Sequence, residues 1–147
     1  MRILHTADLH LRTTDDERWD ALGVILDKAE ELKAGALVVS GDMFDKGVDA
    51  QRLKMPLREV FERRSVPVLI LPGNHDEKGL HAGDFFGERV TVMTDLAQTV
   101  DLGLTRIVGV PYEDVGPETV LERLLAARDL IRREEGATNV LLFHGEL

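Results

Sequence analysis

Four short apolar runs in this chain end abruptly in residues that bind metals or carry protons, and that repetition limits the folds open to it. The clearest is Leu69-Ile70-Leu71, which stops at Pro72-Gly73 and gives way at once to Asn74, His75 and Asp76. Arg2-Ile3-Leu4 leads to Asp8-Leu9-His10, and Ala36-Leu37-Val38-Val39 leads to Gly41-Asp42-Met43-Phe44-Asp45. Val140-Leu141-Leu142-Phe143 leads to His144-Gly145. Runs of this length bounded by turn residues read as buried strands. In an open α/β sheet, ligands bind beyond the carboxyl ends of the strands. All four runs are therefore expected to deliver side chains to one edge.

Between the runs the apolar spacing lengthens to that of helices. Strand one is expected over 2–7. Thr13 to Asp16, with Glu17 behind them, form a helix start, and Trp19, Leu22, Ile25 or Leu26, Ala29 and Leu32 make one stripe. After Ala34-Gly35 the second strand covers 36–40. A helix from Gly47 to about Arg64 places Leu53, Leu57, Val60 and Phe61 inward, and Pro56 inside it predicts a kink or a break. The third strand covers 66–71. The βαβαβ alternation predicts parallel strands with right-handed crossovers.

Residues 77–89 are glycine-rich and irregular. Short strands are expected at 90–93, 99–102 and 106–110, the last two as a hairpin around Gly103-Leu104. Gly116-Pro117-Glu118 opens a helix to about Glu135, with Leu121, Leu124, Leu125 and Ile131 inward. The last strand covers 139–143. Phe85-Phe86 and the Val48 to Leu57 region read as core rather than as dimer contacts.

The length of 147 residues suits one domain, 1–147, with a core of its own. There is no cysteine, so disulfides and thiolate zinc sites are excluded and a metal must be held by oxygen and imidazole nitrogen. The start lacks the apolar core of a signal peptide and no run reaches membrane-spanning length, which makes the cytoplasm the default location. A net charge of −9 argues against tight autonomous nucleic-acid binding, although carboxylates that hold cations contribute to the deficit.

Each motif has a plain alternative. Asp8-x-His10 in extended backbone projects both side chains to one side, where they can reach one cation. Standing alone, such a pair is more often just solvated. A carboxylate at Asp42, straight after a buried strand, is costly unless compensated, and metal binding compensates it. Asp45 reads as a capping or supporting residue that stiffens the loop. Asn74 offers a neutral carbonyl oxygen, and His75 can be a ligand or a proton donor. His144 alone would read as a hydrogen-bonded core histidine, and the shared edge makes it a ligand. His5 and His81 read as structural.

In this order the motifs resemble the calcineurin-like metallophosphoesterase superfamily: D-x-H, G-D-x-x-D, G-N-H-D or G-N-H-E, a later strand ending in histidine, then G-H-x-H. The first four are present from end to end. The His-Thr-Ala-Asp-Leu-His-Leu start and Gly-Asp-Met-Phe-Asp look most like the SbcD-type DNA-repair exonuclease branch. The fold so implied is an α/β class β-sandwich flanked by helices, αββα, partial here because the C-terminal strands are absent. No G-H-x-H occurs, which is read as a partial chain; a short member using another group or water there is the alternative.

The resemblance implies two divalent ions. Asp8 and His10 would hold one and Asn74 and His144 the other, with Asp42 bridging. His75 would protonate the leaving oxygen, and Asp76 would orient His75. Mixed imidazole, carboxylate and amide donors suit manganese, with iron or zinc as alternatives. The expected function is a metal-dependent phosphodiesterase acting on DNA ends, with an ATPase partner subunit and a homodimer, and no membrane. The rivals are a phosphomonoesterase or cyclic-nucleotide phosphodiesterase on the same scaffold, and a non-catalytic domain that has lost activity.

Overall fold

The computed structural model describes residues 1–96 and 98–145. In chain order the elements are β1 (Ile3–Thr6), α1 (Glu17–Glu31), β2 (Ala36–Ser40), α2 (Gly47–Glu62), β3 (Val68–Leu71), β4 (Val90–Val92), β5 (Gln98–Leu102), β6 (Thr105–Val110), α3 (Pro117–Ala127) and β7 (Thr138–Phe143). A single 3-10 turn, Arg128–Leu130, follows α3. Among the described residues no helix is long and apolar enough to cross a membrane.

The strands form two sheets. The first is parallel throughout, in the order β1-β2-β3-β4, with Leu37 opposite both Leu4 and Val68. The second has the order β5-β6-β7: β5 and β6 form the expected antiparallel hairpin around Gly103, and β7 runs parallel to β6. Both faces of β2 and β3 are covered, which is why these strands read as unbroken apolar runs rather than as alternations. On β2, Leu37 and Val39 pack with Leu22, Leu26, Leu53, Leu57 and Phe61 of the two helices. Val38, between them, packs instead with Leu69, Leu71, Ile107 and Leu142 in the space between the sheets. Val108, Val110 and Ala127 form a smaller cluster where α3 covers the outer face of the second sheet. The layering is αββα.

Three expectations change. The strand leading to His144 lies in the second sheet, so the four strand ends that carry the candidate residues do not share one sheet edge. α2 continues through Pro56 as one element rather than breaking into two helices. Its buried stripe, Leu53, Leu57 and Phe61, lies on both sides of the proline and holds the two halves to the same core. α3 ends at Ala127 rather than near Glu135, and it buries Val120 and Ala127 while Leu121, Leu125 and Ile131 are exposed. Past the helix, the Asn139 side chain bonds both backbone groups of Arg132, accepting from its amide at 2.8 Å and donating to its carbonyl at 3.0 Å. Those bonds replace the ones a longer helix would make.

The segment after β3 also divides. Phe86 is fully buried and stacks on Phe44 with ring centroids 6.1 Å apart, whereas Phe85 stays exposed beneath the Arg58 guanidinium. Within α2, Ala50, Leu53 and Leu57 are core, and Val48 and Met55 face solvent.

Candidate metal centre

The loops leaving β1 and β2 run on together after the strands end. Asp8, His10 and Leu11 donate their backbone amides to the carbonyls of Gly41, Asp42 and Met43 at 3.1, 3.0 and 2.9 Å. Within this pairing Asp8, His10 and Asp42 all adopt left-handed backbone, with φ of 55°, 47° and 51°. Residues other than glycine rarely do so, and each instance costs on the order of 1–3 kcal/mol. The inter-loop bonds and the buried Leu11 and Phe44 hold them there.

This backbone changes what D-x-H delivers. Extended chain would send Asp8 and His10 to the same side, but two left-handed residues separate them. Asp8 falls in a group with Asp42 and His144, and His10 in a group with Asp42 and His75. In each group one candidate donor atom per residue lies within 4.8 Å of the others. Asp42, buried, belongs to both. Asp8 is therefore grouped with His144, and His10 with His75, around the shared Asp42 carboxylate.

The ring nitrogens are set by backbone carbonyls. His144 Nδ1 lies 3.0 Å from the Ser40 carbonyl, so the ring donates there and turns its Nε2 lone pair inward. That Nε2 is 3.1 Å from Asn74 Oδ1 and 3.7 Å from Asp42 Oδ1. An imidazole nitrogen, an amide oxygen and a carboxylate oxygen converging in this way make a donor set that suits a divalent cation. On the other side His10 Nε2 is 3.9 Å from Asp42 Oδ2. His10 Nδ1 is shielded from solvent and makes no hydrogen bond, with Asp45 Oδ1 3.9 Å away. These donors fit a divalent ion on either side of Asp42.

Two glycines make the approach possible. A Cβ on Gly73 would lie 2.2 Å from Asp42 Oδ1 and 2.4 Å from the Asp42 amide nitrogen. One on Gly41, at φ 89°, would lie 1.9 Å from His144 Nδ1. No side chain can occupy either position without displacing Asp42 or His144.

His75 is exposed, and its amide donates to Asp42 Oδ1 at 3.0 Å. Its Nδ1 is 2.7 Å from the Asp45 carbonyl, which leaves Nε2 as the free ring atom. The bond to Asp45 raises the imidazole pKa above its ordinary value, and the charges of Asp42, Asp45 and Asp76 add to the rise. The group that orients His75 is therefore the carbonyl of Asp45. Asp76, expected in that role, is fully buried and accepts from the amides of Met43 at 3.0 Å, Phe44 at 2.8 Å and Gly73 at 3.0 Å. It binds the loop after β2 to the loop after β3. Burial pushes its carboxyl up, against the pull of those three amides.

The Asp45 carboxylate faces His10 on one side and Arg18 Nη1, at 3.6 Å, on the other. It caps no helix, since the residue before α2 is Lys46. Ser40 acts through its carbonyl, a group every residue has, so no sequence signal marks it. His5 lies exposed on β1 and His81 exposed beyond the third loop, outside both ligand groups.

A family model for calcineurin-like phosphoesterases matches residues 1–147. The chain is 28% identical over 152 residues to the D subunit of nuclease SbcCD from Escherichia coli (strain K12), covering 95% of this chain and 37% of that protein. It is 33% identical over 86 residues to the D subunit of nuclease SbcCD from Bacillus subtilis (strain 168), covering 52% of this chain and 22% of the relative. Against the DNA double-strand break repair protein Mre11 of Archaeoglobus fulgidus it is 31% identical over 87 residues, covering 52% and 20%. The chain thus spans 20% to 37% of the length of these relatives.

Proposed function

The chain belongs to the calcineurin-like phosphoesterase family, and from that premise we propose that the cluster around Asp42 is a two-metal site for phosphoester hydrolysis. The observation that carries this reading is the sharing of one buried carboxylate between two separate ligand groups. Asp42 lends an oxygen to each side. Asp8 and His10 are proposed for one position and Asn74 and His144 for the other, with Asp8 also within reach of the Asp42 and His144 donors. Divalent ions bound there would supply an activated water and neutralise charge on the phosphoryl oxygens. Manganese is the proposed ion, and the same donors accept iron or zinc.

His75 is proposed as the proton donor to the leaving oxygen. Its Nδ1 is occupied by the Asp45 carbonyl, so the proton in play is on Nε2. Asp45 fixes that tautomer, and Asp76 keeps the two loops in register beneath it. The similarity to the SbcCD nuclease and to Mre11 favours DNA ends as the substrate. An ATPase partner, a homodimer and a cytoplasmic location are proposed with it. The net charge of −9 favours a second reading, a phosphomonoesterase or cyclic-nucleotide phosphodiesterase.

The test is manganese-dependent hydrolysis of bis(p-nitrophenyl) phosphate. Turnover that falls to background in Asp42→Ala supports the reading, and equal rates for the two proteins overturn it. His75→Ala is expected to cost about 10²–10⁴-fold on DNA. It should cost much less on the nitrophenyl ester, whose leaving group needs no proton. Rates on single-stranded DNA, a cyclic nucleotide and a monoester separate the two substrate readings.

A further inference from the structure

Arg18 stands where local electrostatics disfavour it. Asp16 caps α1, accepting from the amides of Arg18 and Trp19 at 3.1 Å, which puts Arg18 at the second helical position. The first turn otherwise carries Glu17 and Asp20, as the positive end of a helix dipole prefers. A cation in that turn is unfavourable unless another partner offsets the cost.

The partners are at the candidate centre. Arg18 Nη1 donates to the His10 carbonyl at 2.8 Å and lies 3.6 Å from Asp45 Oδ1. His10 is one of the left-handed residues, and its backbone conformation depends on what holds its peptide. Asp45 faces His10 Nδ1 with its carboxylate and His75 Nδ1 with its carbonyl. One guanidinium therefore spans both supports of the His10–Asp42–His75 group. Its hydrogen bond and its ion pair both fall on His10 and Asp45.

We infer that Arg18 is a positioning residue for one of the two cation positions: it fixes the His10 loop against Asp45 and so sets the affinity on the His10 side of Asp42. This rests on reading His10 and Asp42 as ligands of one of the two metal positions proposed above. The sign of the effect separates positioning from charge. Deleting a nearby positive charge would by itself strengthen cation binding. Deleting a brace weakens it.

The experiment is calorimetric titration of the whole chain with manganese, comparing wild type, His10→Ala, Arg18→Gln and Arg18→Lys. Wild type is expected to show two binding events, one of which His10→Ala abolishes. Arg18→Gln should weaken that same event about 10–100-fold, the usual cost of losing a ligand's support, and leave the other within twofold. Arg18→Lys keeps the charge without the planar fork and should fall between. Retention of the second event shows that the variant has folded. Unchanged or tighter binding at the His10 event in Arg18→Gln overturns the inference, as does equal weakening of both events. Wild type without saturable manganese binding overturns the metal-centre reading itself, and this inference with it.

Discussion

The central strands of the first sheet and the outer strand and helix of the second are built to different standards. In the first, β2 and β3 bury every residue, and α2 sends Leu53, Leu57 and Phe61 into the core they share. In the second, β7 buries one residue of its six, and α3 leaves Leu121 and Leu125 in solvent. The contrast extends to the candidate centre. The first sheet supplies Asp8, His10, Asp42, Asn74 and His75 from loops cross-linked by backbone bonds and by the Asp76 carboxylate. The second supplies His144, and even that ring is held by a carbonyl of β2. Strained backbone can persist only where its surroundings are over-determined. The left-handed Asp8, His10 and Asp42 accordingly lie in the first sheet's loops.

The largest test of this difference compares two glycines. Gly73→Ala forces a Cβ into Asp42, and a loss of about 4 kcal/mol, together with loss of manganese binding, is expected by urea unfolding and calorimetry. Gly103→Ala in the β5–β6 turn meets nothing within 4 Å, and only its φ of 62° opposes it. It should cost about 1 kcal/mol. Equal losses at the two sites would end the contrast.

Asp76→Ala comes next. It leaves three buried amides without an acceptor, and a loss of about 3 kcal/mol is expected in the same unfolding measurement. Its effect on activity should exceed that of removing an equally buried apolar side chain, because the loops carrying Asp42 and His75 separate.

Glu30 gives a smaller effect with a pH signature. Its carboxylate accepts from the Ser65 hydroxyl and from the amides of Val66 and Ser65, which hold its pKa below the ordinary 4.5. A group depressed in the folded state contributes stability above its unfolded pKa and loses it as pH falls through the folded one. Glu30→Gln should cost about 1 kcal/mol at pH 7, discounted for its exposure. The gap to wild type should close on acidification below the usual carboxylate range. A gap independent of pH would contradict hydrogen bonding to the ionised carboxylate as its cause.

The smallest effect belongs to the second sheet's helix. Leu121→Gln, at 51% exposure, should move stability by less than about 0.5 kcal/mol. Leu57→Ala on α2 should cost about 2–5 kcal/mol. A large loss from Leu121→Gln would mean that α3 packs far more closely than its exposed face indicates.

What the amino-acid order determined by itself is local. The stripes Leu22, Leu26, Ala29 and Leu53, Leu57, Phe61 were legible because a buried helix face repeats at three and four residues. The hairpin at Gly103 and the parallel β1-β2-β3 ladder followed from turn chemistry and alternation. Asp8, His10, Asp42, Asn74 and His144 were visible as polar clusters that no plain turn requires after an apolar strand. Which sheet carries His144, what holds the first loop, what Asp76 bonds, and which face of α3 is buried were decided by the tertiary structure. Each depends on partners distant in sequence: Ser40 for His144, Gly41 and Met43 for the first loop, the amides of Met43 and Phe44 for Asp76, and Val108 and Val110 for the buried face of α3. Periodicity records which residues avoid water, but not what they meet when they do.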